Sequence, residues 1–427
     1  MFELPKPVLV LGGGIAGIQA SLDLADQGIK VYLVERSPSI GGRMAQLDKT
    51  FPTLDCSSCI LTPKMVSVAR NENIELMTYS EVLEIRGKAG EFKVRILKKP
   101  RYVDTEKCTG CMICMEKCPS KVPSEFNEGL GERKAIYIPF PQAVPLKATI
   151  DKEHCLYFRE GICRVCEKFC PAGAIDFEQK PEEVELEVAS IIVATGFFLD
   201  DPRKREEYGY GKYENVYTSL EFERLLSSTG PTKGEIRRRD GKEPKKIAFI
   251  QCVCSRDLKS NKYCSSICCM ASVKQAILAK EHLPDVECTI FYMDLRAFGK
   301  GYQEFLERAE REFGIKYIRS KPAKIEEDPK TKNLIVTYED TTSTKFEKEE
   351  FDMVVLAVGM KPNLLKWLPF EEQEFPEIGD YSDPVSSKID GIFLAGTVSG
   401  PKDIPDSVSQ ASAAAMRASV IAYGGGV

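Results

Sequence analysis

The order of apolar and polar positions predicts an α/β protein. Residues 8–11 form a short, wholly apolar run typical of a buried parallel strand, and a helical pattern follows to about Gln27. Further strands are predicted at 31–34, 188–193 and 246–250. The apolar run 392–395 then leads through a loop to a helix from about Asp406. This alternation of strands and helices favours parallel sheets covered by helices.

A glycine-rich turn joins the first strand to the first helix. Gly12, Gly14 and Gly17 fit the pattern G-x-G-x-x-G. The first glycine allows the tight turn, the second lets the backbone approach a pyrophosphate, and the third lets the helix pack on the strand. Glu35 lies at the end of the second strand, 21 residues after Gly14, where a carboxylate binds a ribose. The sequence predicts a dinucleotide site here rather than a purely structural turn.

Further glycines follow the strands that come later in the chain. This set resembles the two-dinucleotide flavoproteins related to thioredoxin and glutathione reductases, in which the first nucleotide-binding fold holds FAD. The usual Gly-Asp of the last motif is Gly396-Thr397 here, so only the glycine is carried over. The FAD-binding residues implied are Gly12, Gly14, Gly17, Glu35, Gly42, Arg43, Thr195, Gly196, Gly359 and Gly396.

Composition narrows the chemistry. The 427 residues include 16 cysteines but only two histidines, which argues against His-ligated haem, zinc hydrolase sites and Ser-His-Asp triads. A net charge of −5 argues against a nucleic-acid partner. No apolar run approaches the ~18 residues that a membrane-spanning helix needs. We therefore expect a soluble, cytoplasmic protein whose cysteines serve metal or redox chemistry.

Eight cysteines between positions 108 and 170 form two runs typical of bacterial dicluster ferredoxins, each ending in Cys-Pro. In such proteins the fourth cysteine of each run ligates the other cluster. Zinc knuckles lack the third cysteine of C-x2-C-x2-C and the following proline, so zinc is disfavoured. The predicted ligands are Cys108, Cys111, Cys114 and Cys170 for one 4Fe-4S cluster, and Cys155, Cys163, Cys166 and Cys118 for the other.

A second nucleotide-binding fold is expected from residue 246, but its glycine turn is missing. Gln251 and Cys252 follow the strand, and no glycine occurs between Gly241 and Gly299. Because a pyrophosphate cannot approach such a backbone, we do not expect NAD(P)H to bind here. Cys252, Cys264, Cys268 and Cys269 instead predict a third, non-standard 4Fe-4S cluster, with a redox dithiol as the alternative and Cys254 as a spare.

The chain is similar along essentially its whole length to the A subunits of heterodisulfide reductases and of related sulfur-oxidation and quinone-modifying complexes. The resemblance is carried by residues 55–65, the cysteine insert, 251–252, 263–269 and 400–405. It implies that Cys252, Cys264, Cys268 and Cys269 hold a 4Fe-4S cluster and that Lys274 lies near flavin N5, in a catalytic role. A solvated helix lysine is the alternative for Lys274.

The expected fold is a thioredoxin-reductase-like two-dinucleotide-binding flavoprotein with an inserted α+β ferredoxin module. Residues 1–100 are the first FAD-binding segment, 101–178 the ferredoxin insert, and 179–240 the second FAD-binding segment with a linker. Residues 241–350 form the Rossmann-like domain with the cysteine cluster, and 351–427 form the last FAD-binding segment.

The resemblance implies an oxidoreductase, an iron–sulfur flavoprotein that relays electrons between FAD and 4Fe-4S clusters within a complex. The implied partners are cluster-bearing B- and C-type subunits, a hydrogenase, or quinone-linked and other electron donors and acceptors, with no transmembrane segment of its own. Electron bifurcation or confurcation, homodimerisation, and the donor and acceptor stay open. A stand-alone NAD(P)H-dependent iron–sulfur flavin oxidoreductase is the alternative function.

The sequence allows more than one role for each of four further residues. Cys56 and Cys59 fit half of a shared cluster, a dithiol, or inert structure. Glu221 and Glu223 fit either tuning of the flavin or an exposed helix surface.

Overall fold

The structure is a computed structural model that describes residues 4–365, 375–376, 378–380 and 382–425. All the predicted site residues lie within these ranges, and the α/β fold class is confirmed. Within the described ranges, no helix combines the length and hydrophobicity needed to cross a membrane. The helices are α1 Ile15–Ala25, α2 Ser57–Arg70, α3 Ile113–Lys117, α4 Leu156–Glu160, α5 Val165–Lys168, α6 Ser219–Leu226, α7 Cys268–His282, α8 Tyr302–Phe313 and α9 Ile404–Ala422.

The strands are mostly short. The first half of the chain contains β1 Val8–Leu11, β2 Val31–Glu35, β3 Ile74–Thr78, β4 Ser80–Arg86, β5 Phe92–Lys98, β6 Lys121–Pro123, β7 Glu132–Lys134, β8 Ile136–Tyr137, β9 Thr149–Ile150, β10 Glu182–Val188, β11 Ser190–Val193 and β12 Phe197–Leu199. The second half contains β13 Val216–Thr218, β14 Lys246–Val253, β15 Glu287–Tyr292, β16 Lys316–Arg319, β17 Lys324–Glu327, β18 Leu334–Asp340, β19 Lys345–Phe351, β20 Met353–Val358, β21 Met360–Pro362, β22 Ile378–Asp380, β23 Asp383–Ser387 and β24 Ile392–Leu394.

The chain divides into two compact units. Unit 1 comprises Met1–Ala45, Ser58–Phe197 and Pro362–Val427, and unit 2 comprises Gln46–Ser57 and Phe198–Lys361. The expected ferredoxin insert, 101–178, falls wholly in unit 1. The expected Rossmann-like domain, 241–350, falls wholly in unit 2.

Unit 1 is built on a seven-stranded sheet of order β22-β23-β24-β11-β1-β2-β3. The five strands from β24 to β3 are parallel. Val8 and Val10 of β1 belong to the same buried cluster as residues of α1 and α9, whereas Leu9 and Leu11 pack with β5 and β10. Because both faces of β1 are covered, the strand is apolar throughout instead of alternating.

The insert, residues 101–178, is anchored beside the seven-stranded sheet of unit 1. Ile40 pairs with Val144 of the insert in an isolated bridge. The buried Arg101 donates to Oγ1 of Thr149 at 2.8 Å and to the carbonyl oxygen of Pro38 at 2.7 Å. Burial lowers the pKa of Arg101 to about 10. These bonds hold the insert against the loop that follows β2.

Unit 2 contains a five-stranded parallel sheet of order β13-β20-β14-β15-β16 and an antiparallel sheet of order β17-β18-β19. The sequence predicts that the strand ends at 250, but β14 continues to Val253. Its pairing with β20 shifts register between Ile250 and Val253. A bulged strand thus stands where a nucleotide-binding fold would have its glycine turn.

Candidate flavin and iron–sulfur sites

The first glycine turn has the backbone geometry of a pyrophosphate site. Gly12 has φ +104°, and a Cβ on Gly17 would lie 1.8 Å from the carbonyl oxygen of Gly12. Gly14 caps α1, and a Cβ there would meet nothing within 4 Å. The turn is therefore tightly packed at Gly12 and Gly17 and open at Gly14, where the helix N-terminus favours an anion.

Glu35 and Gly42 lie beside this turn. The two carboxylate oxygens of Glu35 accept from the backbone N–H groups of Gly13 at 2.7 Å and Ser37 at 2.8 Å. Gly42 has φ +54°, and a Cβ there would lie 2.8 Å from Cα of Gly14. Both residues therefore adjoin the turn, and their roles in binding FAD stay predictions.

Arg43 makes contacts that its predicted role did not include. Its guanidinium pairs with Glu128 of the ferredoxin insert at 2.6 Å, and its Cζ lies 5.9 Å from the centre of the Phe197 ring. The residue after Gly42 thus joins the flavin turn to the insert. Its role in binding FAD stays a prediction.

Thr195 and Gly196 follow β11 at the same edge of the sheet. Oγ1 of Thr195 is buried and has no hydrogen-bond partner among the described residues. The backbone here is held by Asn363, whose Nδ2 donates to the carbonyl oxygen of Thr195 at 3.1 Å and whose N–H donates to that of Gly196 at 3.0 Å. A buried hydroxyl without a partner is costly, so this position fits a polar ligand such as FAD.

The turn after β24 contacts the start of α1. A Cβ on Gly396 would lie 2.8 Å from Cβ of Ala16. Nζ of Lys402 donates to the carbonyl oxygens of Gly396 at 2.9 Å and Gly400 at 2.8 Å, and to Oγ of Ser399 at 2.9 Å. Burial lowers the pKa of Lys402 to about 8. The sequence analysis did not single out Lys402, and the structure shows that it orders the turn.

Within the insert, one cavity is lined by Cys108, Cys111, Cys114 and Cys170 together with apolar side chains that include Val103 and Ile138. The first three cysteines are close in sequence, whereas Cys170 comes from the second run. Burial raises the pKa of Cys114 to about 11, and Cys108, Cys170 and Cys111 raise it further. These four are the ligands predicted for one cluster, and a cavity lined by four cysteines offers the thiolates that a 4Fe-4S cube requires.

The remaining insert cysteines form a second group. Burial raises the pKa of Cys155, and its neighbours Cys118 and Cys163 raise it further. Burial raises the pKa of Cys166 to about 12, with Cys155 making the largest contribution among the neighbouring thiols. Such thiols stay protonated at neutral pH unless a metal displaces the proton.

The cysteines do not converge as ligands of a single ion would. Among the described residues, no three His, Cys, Asp or Glu side chains are grouped closely enough to hold one metal ion.

Two lysines that the sequence did not single out stabilise the cysteine turns. Nζ of Lys147 donates to the carbonyl oxygen of Cys108 at 2.6 Å, and Nζ of Lys134 donates to that of Cys118 at 2.7 Å. Neither lysine lies within a cysteine run, so the spacing of the motif carries no sign of these contacts.

In unit 2, the cysteines predicted to hold a third cluster come together. Burial raises the pKa of Cys268 well above its usual range, and Cys252, Cys269 and Cys264 raise it further. Sγ of Cys264 accepts from the backbone N–H of Ser266 at 3.3 Å. The four residues implied by the resemblance are therefore neighbours.

The backbone around this group is strained. Cys252, Cys254, Arg256 and Ser266 have φ of +60°, +55°, +56° and +60°. Each such conformation costs of order 1 kcal/mol or more in a residue with a side chain, and such positions cluster at functional sites. Four of them between 252 and 266 support a binding role for this loop.

Cys254 lies apart from that group. Its Sγ is 3.6 Å from the carbonyl oxygen of Asp201, and burial followed by the charge of Asp200 raises its pKa. Gly359 packs here: a Cβ on it would lie 2.6 Å from the carbonyl oxygen of Cys254. Gly359 therefore contacts the cysteine loop of unit 2, and its predicted role in binding FAD stays untested.

Lys274 forms a buried ion pair. It is 2% exposed and donates to Oε1 of Glu223 and, at 3.0 Å, to the carbonyl oxygen of Lys49. Nε2 of Gln275 donates to the same oxygen of Glu223 at 2.6 Å. The alternative of a solvated lysine is wrong.

The two glutamates of α6 have different roles, and the prediction of an exposed helix surface is wrong for both because both are buried. Glu223 pairs with Lys274. Glu221 closes the start of α6 in a capping box with Thr218.

Gln251, also buried, has neither side-chain polar atom paired among the described residues.

Cys56 and Cys59 lie at the start of α2, where both are exposed. Both cysteines take part in a disulfide, so neither is a free thiol. Whether they serve redox chemistry, share a cluster with another segment or are inert stays open.

Comparisons with known proteins bear on the fold and the class of cofactor. Residues 7–55 match the family model described as FAD dependent oxidoreductase, and residues 101–124 match that described as 4Fe-4S binding domain. The thioredoxin reductases of Lactococcus lactis and T. acidophilum share the fold with a TM-score of 0.53 each, at 16% and 14% identity. The alignments cover 98% of this chain, with 99% and 98% of those chains. The predicted flavoprotein fold is confirmed.

Two relatives are far more similar in sequence. The iron–sulfur A subunit of the CoB–CoM heterodisulfide reductase of Methanocaldococcus jannaschii is 55% identical over 98% of this chain and 64% of its own length. The A subunit of the H2:CoB-CoM heterodisulfide,ferredoxin reductase of Methanothermobacter marburgensis is 52% identical over 96% of this chain and 63% of its own length. The present chain thus spans slightly less than two thirds of these relatives, and the predicted resemblance is confirmed.

Proposed function

The chain is a homologue of heterodisulfide reductase A subunits, and we propose that it is the iron–sulfur flavoprotein electron-transfer subunit of a heterodisulfide-reductase-like complex. The observation that carries this proposal is the cavity lined by Cys108, Cys111, Cys114 and Cys170, in the same unit as the open glycine turn. FAD supplies two-electron chemistry when bound, and 4Fe-4S clusters carry single electrons.

The residues of unit 1 would bind FAD through the turn at Gly14, the hydroxyl of Thr195 and the helix N-termini near Gly14 and Gly396. The cysteine groups would hold two clusters in the insert and a third in unit 2. The neighbouring thiols of each group support these sets. The strained loop of unit 2 supports the third cluster.

The partners that we propose are cluster-bearing subunits of B and C type and an electron donor such as a hydrogenase or a quinone-linked protein, in the cytoplasm. The relatives' names include a heterodisulfide and ferredoxin as substrates. We propose that such substrates react on partner subunits, while this chain moves electrons.

The proposal is tested with the chain reconstituted anaerobically with FAD, iron and sulfide. The flavin is reduced photochemically, and absorbance and EPR spectra are followed together. We expect the clusters to become reduced as the flavin equilibrates with them. Clusters that keep their oxidation state while the flavin is reduced and reoxidised would overturn the proposal.

The competing NAD(P)H oxidoreductase is tested by stopped-flow mixing of the same protein with NADPH or NADH. We expect no bleaching of the flavin on the timescale of turnover. The reason is that β14 continues into Gln251 and Cys252, so no glycine admits the pyrophosphate. Rapid bleaching by either nucleotide would favour the alternative function.

We also propose, from the family resemblance, that Lys274 acts on the flavin. The buried ammonium paired with Glu223 supports a role beyond helix stability. Removing one partner of a buried pair costs about 3–5 kcal/mol, so the test uses Lys274→Met combined with Glu223→Gln. Relative to Glu223→Gln alone, from which it differs only by loss of the ammonium, we expect the double variant to have a flavin reduction equilibrium about tenfold less favourable, or about 30 mV for two electrons.

Glu223→Gln alone and Lys280→Met serve as controls for that experiment. Lys280 lies in the last turn of α7 and donates to the carbonyl oxygen of Pro284. The readout is the flavin midpoint potential measured against redox dyes. An unchanged potential in a folded double variant would mean that the pair is structural.

A further inference from the structure

We propose that Arg256 is a positioning residue that raises the reduction potential of the cluster held by Cys252, Cys264, Cys268 and Cys269. The inference rests on the proposed third cluster and adds what controls its potential. Arg256 belongs to none of the motifs that predicted the ligands.

Arg256 lies in the loop that connects two of the ligands. Its backbone has φ +56°, and its N–H donates to the carbonyl oxygen of Tyr263 at 3.0 Å. Oγ of Ser255 donates to the same carbonyl oxygen at 3.0 Å and lies 3.1 Å from Oγ of Ser265. These bonds join the two ends of the loop, next to Cys252 and Cys264.

The side chain of Arg256 is fixed by a carboxylate from another loop. Its guanidinium forms an ion pair with Asp294, which follows β15. The carbonyl oxygen of Asp294 lies 3.9 Å from Sγ of Cys269, so the ion pair joins the loop of Cys252 to the surroundings of Cys269. The orientation of Arg256 is therefore set by the same segment that contacts a second ligand.

The guanidinium faces the Cys252 thiol. A hydrogen bond joins the guanidinium of Arg256 to the Cys252 thiol. Arginine keeps its charge at any pH that the protein survives, so this is a permanent positive charge beside a ligand sulfur.

A nearby positive charge favours the reduced cluster, because reduction adds one negative charge to the cube and its ligands. Hydrogen bonds to the sulfurs act in the same direction. Cys264 accepts such a bond from Ser266, and Cys269 accepts one from the backbone N–H of Arg296.

The carboxylate of Asp294 offsets part of this effect. It is shared between Arg256 and Arg296, whose Nε donates to it at 3.1 Å, so the two guanidiniums leave one positive charge in excess. The side chain of Arg256 is 25% exposed and that of Asp294 44%, so solvent weakens the field. A moderate change in potential is therefore expected on removing Arg256.

In the insert, by contrast, Lys134 and Lys147 donate to backbone carbonyl oxygens of ligand cysteines. The insert clusters therefore provide an internal reference within the same protein.

The test compares Arg256→Gln with Arg256→Lys in the reconstituted full chain. Arg296→Gln is the matched control, because it removes the other guanidinium bound to Asp294 while keeping the backbone N–H to Cys269. Iron content and EPR spectra establish occupancy, and a dye-mediated redox titration gives each midpoint potential.

In Arg256→Gln we expect full iron content and a reduction equilibrium of the third cluster about tenfold less favourable, which is about 59 mV for one electron. In Arg256→Lys the potential of the third cluster should fall by less than in Arg256→Gln. Arg296→Gln should also lower this potential by less than Arg256→Gln does, and the insert clusters should keep their potentials in all variants. An occupied third cluster with an unchanged potential in Arg256→Gln would overturn the inference and leave the cluster standing. Loss of the cluster in Arg256→Gln would also overturn the inference, because Arg256 would then be needed to hold the cluster and not to set its potential. A wild-type protein that holds only the two insert clusters would instead overturn the proposed third cluster.

Discussion

Replacing Gly17 by alanine is expected to destabilise unit 1 so strongly that little folded protein is recovered. The new Cβ would lie 1.8 Å from the carbonyl oxygen of Gly12, far inside van der Waals contact. Gly12 is itself closely packed, since a Cβ at its position would lie 2.4 Å from the carbonyl oxygen of Ala194. A backbone-on-backbone clash of this kind belongs to the rare substitutions that cost more than about 4 kcal/mol.

Gly14→Ala is the matched control for that variant, in the same turn. Gly14 has φ −77°, and a Cβ there would meet nothing within 4 Å. The free energy of unfolding of the FAD-free variant should therefore lie within about 1 kcal/mol of the wild-type value. The methyl group would instead occupy the space proposed for the pyrophosphate. We expect FAD affinity to fall about a hundredfold, or about 2.7 kcal/mol.

Urea unfolding of the FAD-free proteins and titration of FAD by quenching of its fluorescence separate these two effects. If Gly14→Ala bound FAD as tightly as wild type, the pyrophosphate would not pass over Gly14, and the proposed flavin site would be wrong. If Gly17→Ala had the same free energy of unfolding as wild type, the packing described for the turn would be wrong.

Replacing Cys170 by alanine is expected to remove the same cluster as replacing Cys114, although the two cysteines come from different runs. The reason is that both line one cavity with Cys108 and Cys111. Each variant should lose about four irons per chain and the same EPR signal, since a cube with three ligands is lost or degraded. The double variant should lose no more than either single one.

Cys118→Ala and Cys166→Ala should together identify the second cluster in the same way. The control is Cys288→Ala, because Cys288 is 1% exposed and lies apart in β15, so that variant should keep all its iron. If Cys170→Ala instead removed the signal that Cys166→Ala removes, each run would hold its own cluster and the exchange of fourth ligands would be wrong.

Much of the flavin site could be predicted from the sequence, because its parts are local. The turn between β1 and α1 depends on a few consecutive residues, and the apolar β1 indicates a strand covered on both faces. The orphan hydroxyl of Thr195 and the bonds of Lys402 within its turn were not predictable in this way. They depend on how the ends of distant strands meet.

The surroundings of several residues could not be read from the motifs in which they lie. Gly359 has the sequence surroundings of the other strand-end glycines, yet it packs against Cys254 in unit 2. Glu223 has the periodicity of a helix surface, yet it is buried against Lys274. A pattern of polar residues reports what a helix could expose, whereas the neighbouring segments decide what it does expose.

The amino-acid sequence alone determined the turn glycines, the cysteine runs and the loss of the second nucleotide turn. Each of these depends on residues a few positions apart, whose geometry is set by the backbone itself. Only the tertiary structure decided that Lys274 meets Glu223, 51 positions away, and that Arg256 meets Asp294, 38 positions away. Such pairs exist because separate segments pack together, and a buried charge must then find its partner wherever packing has placed one.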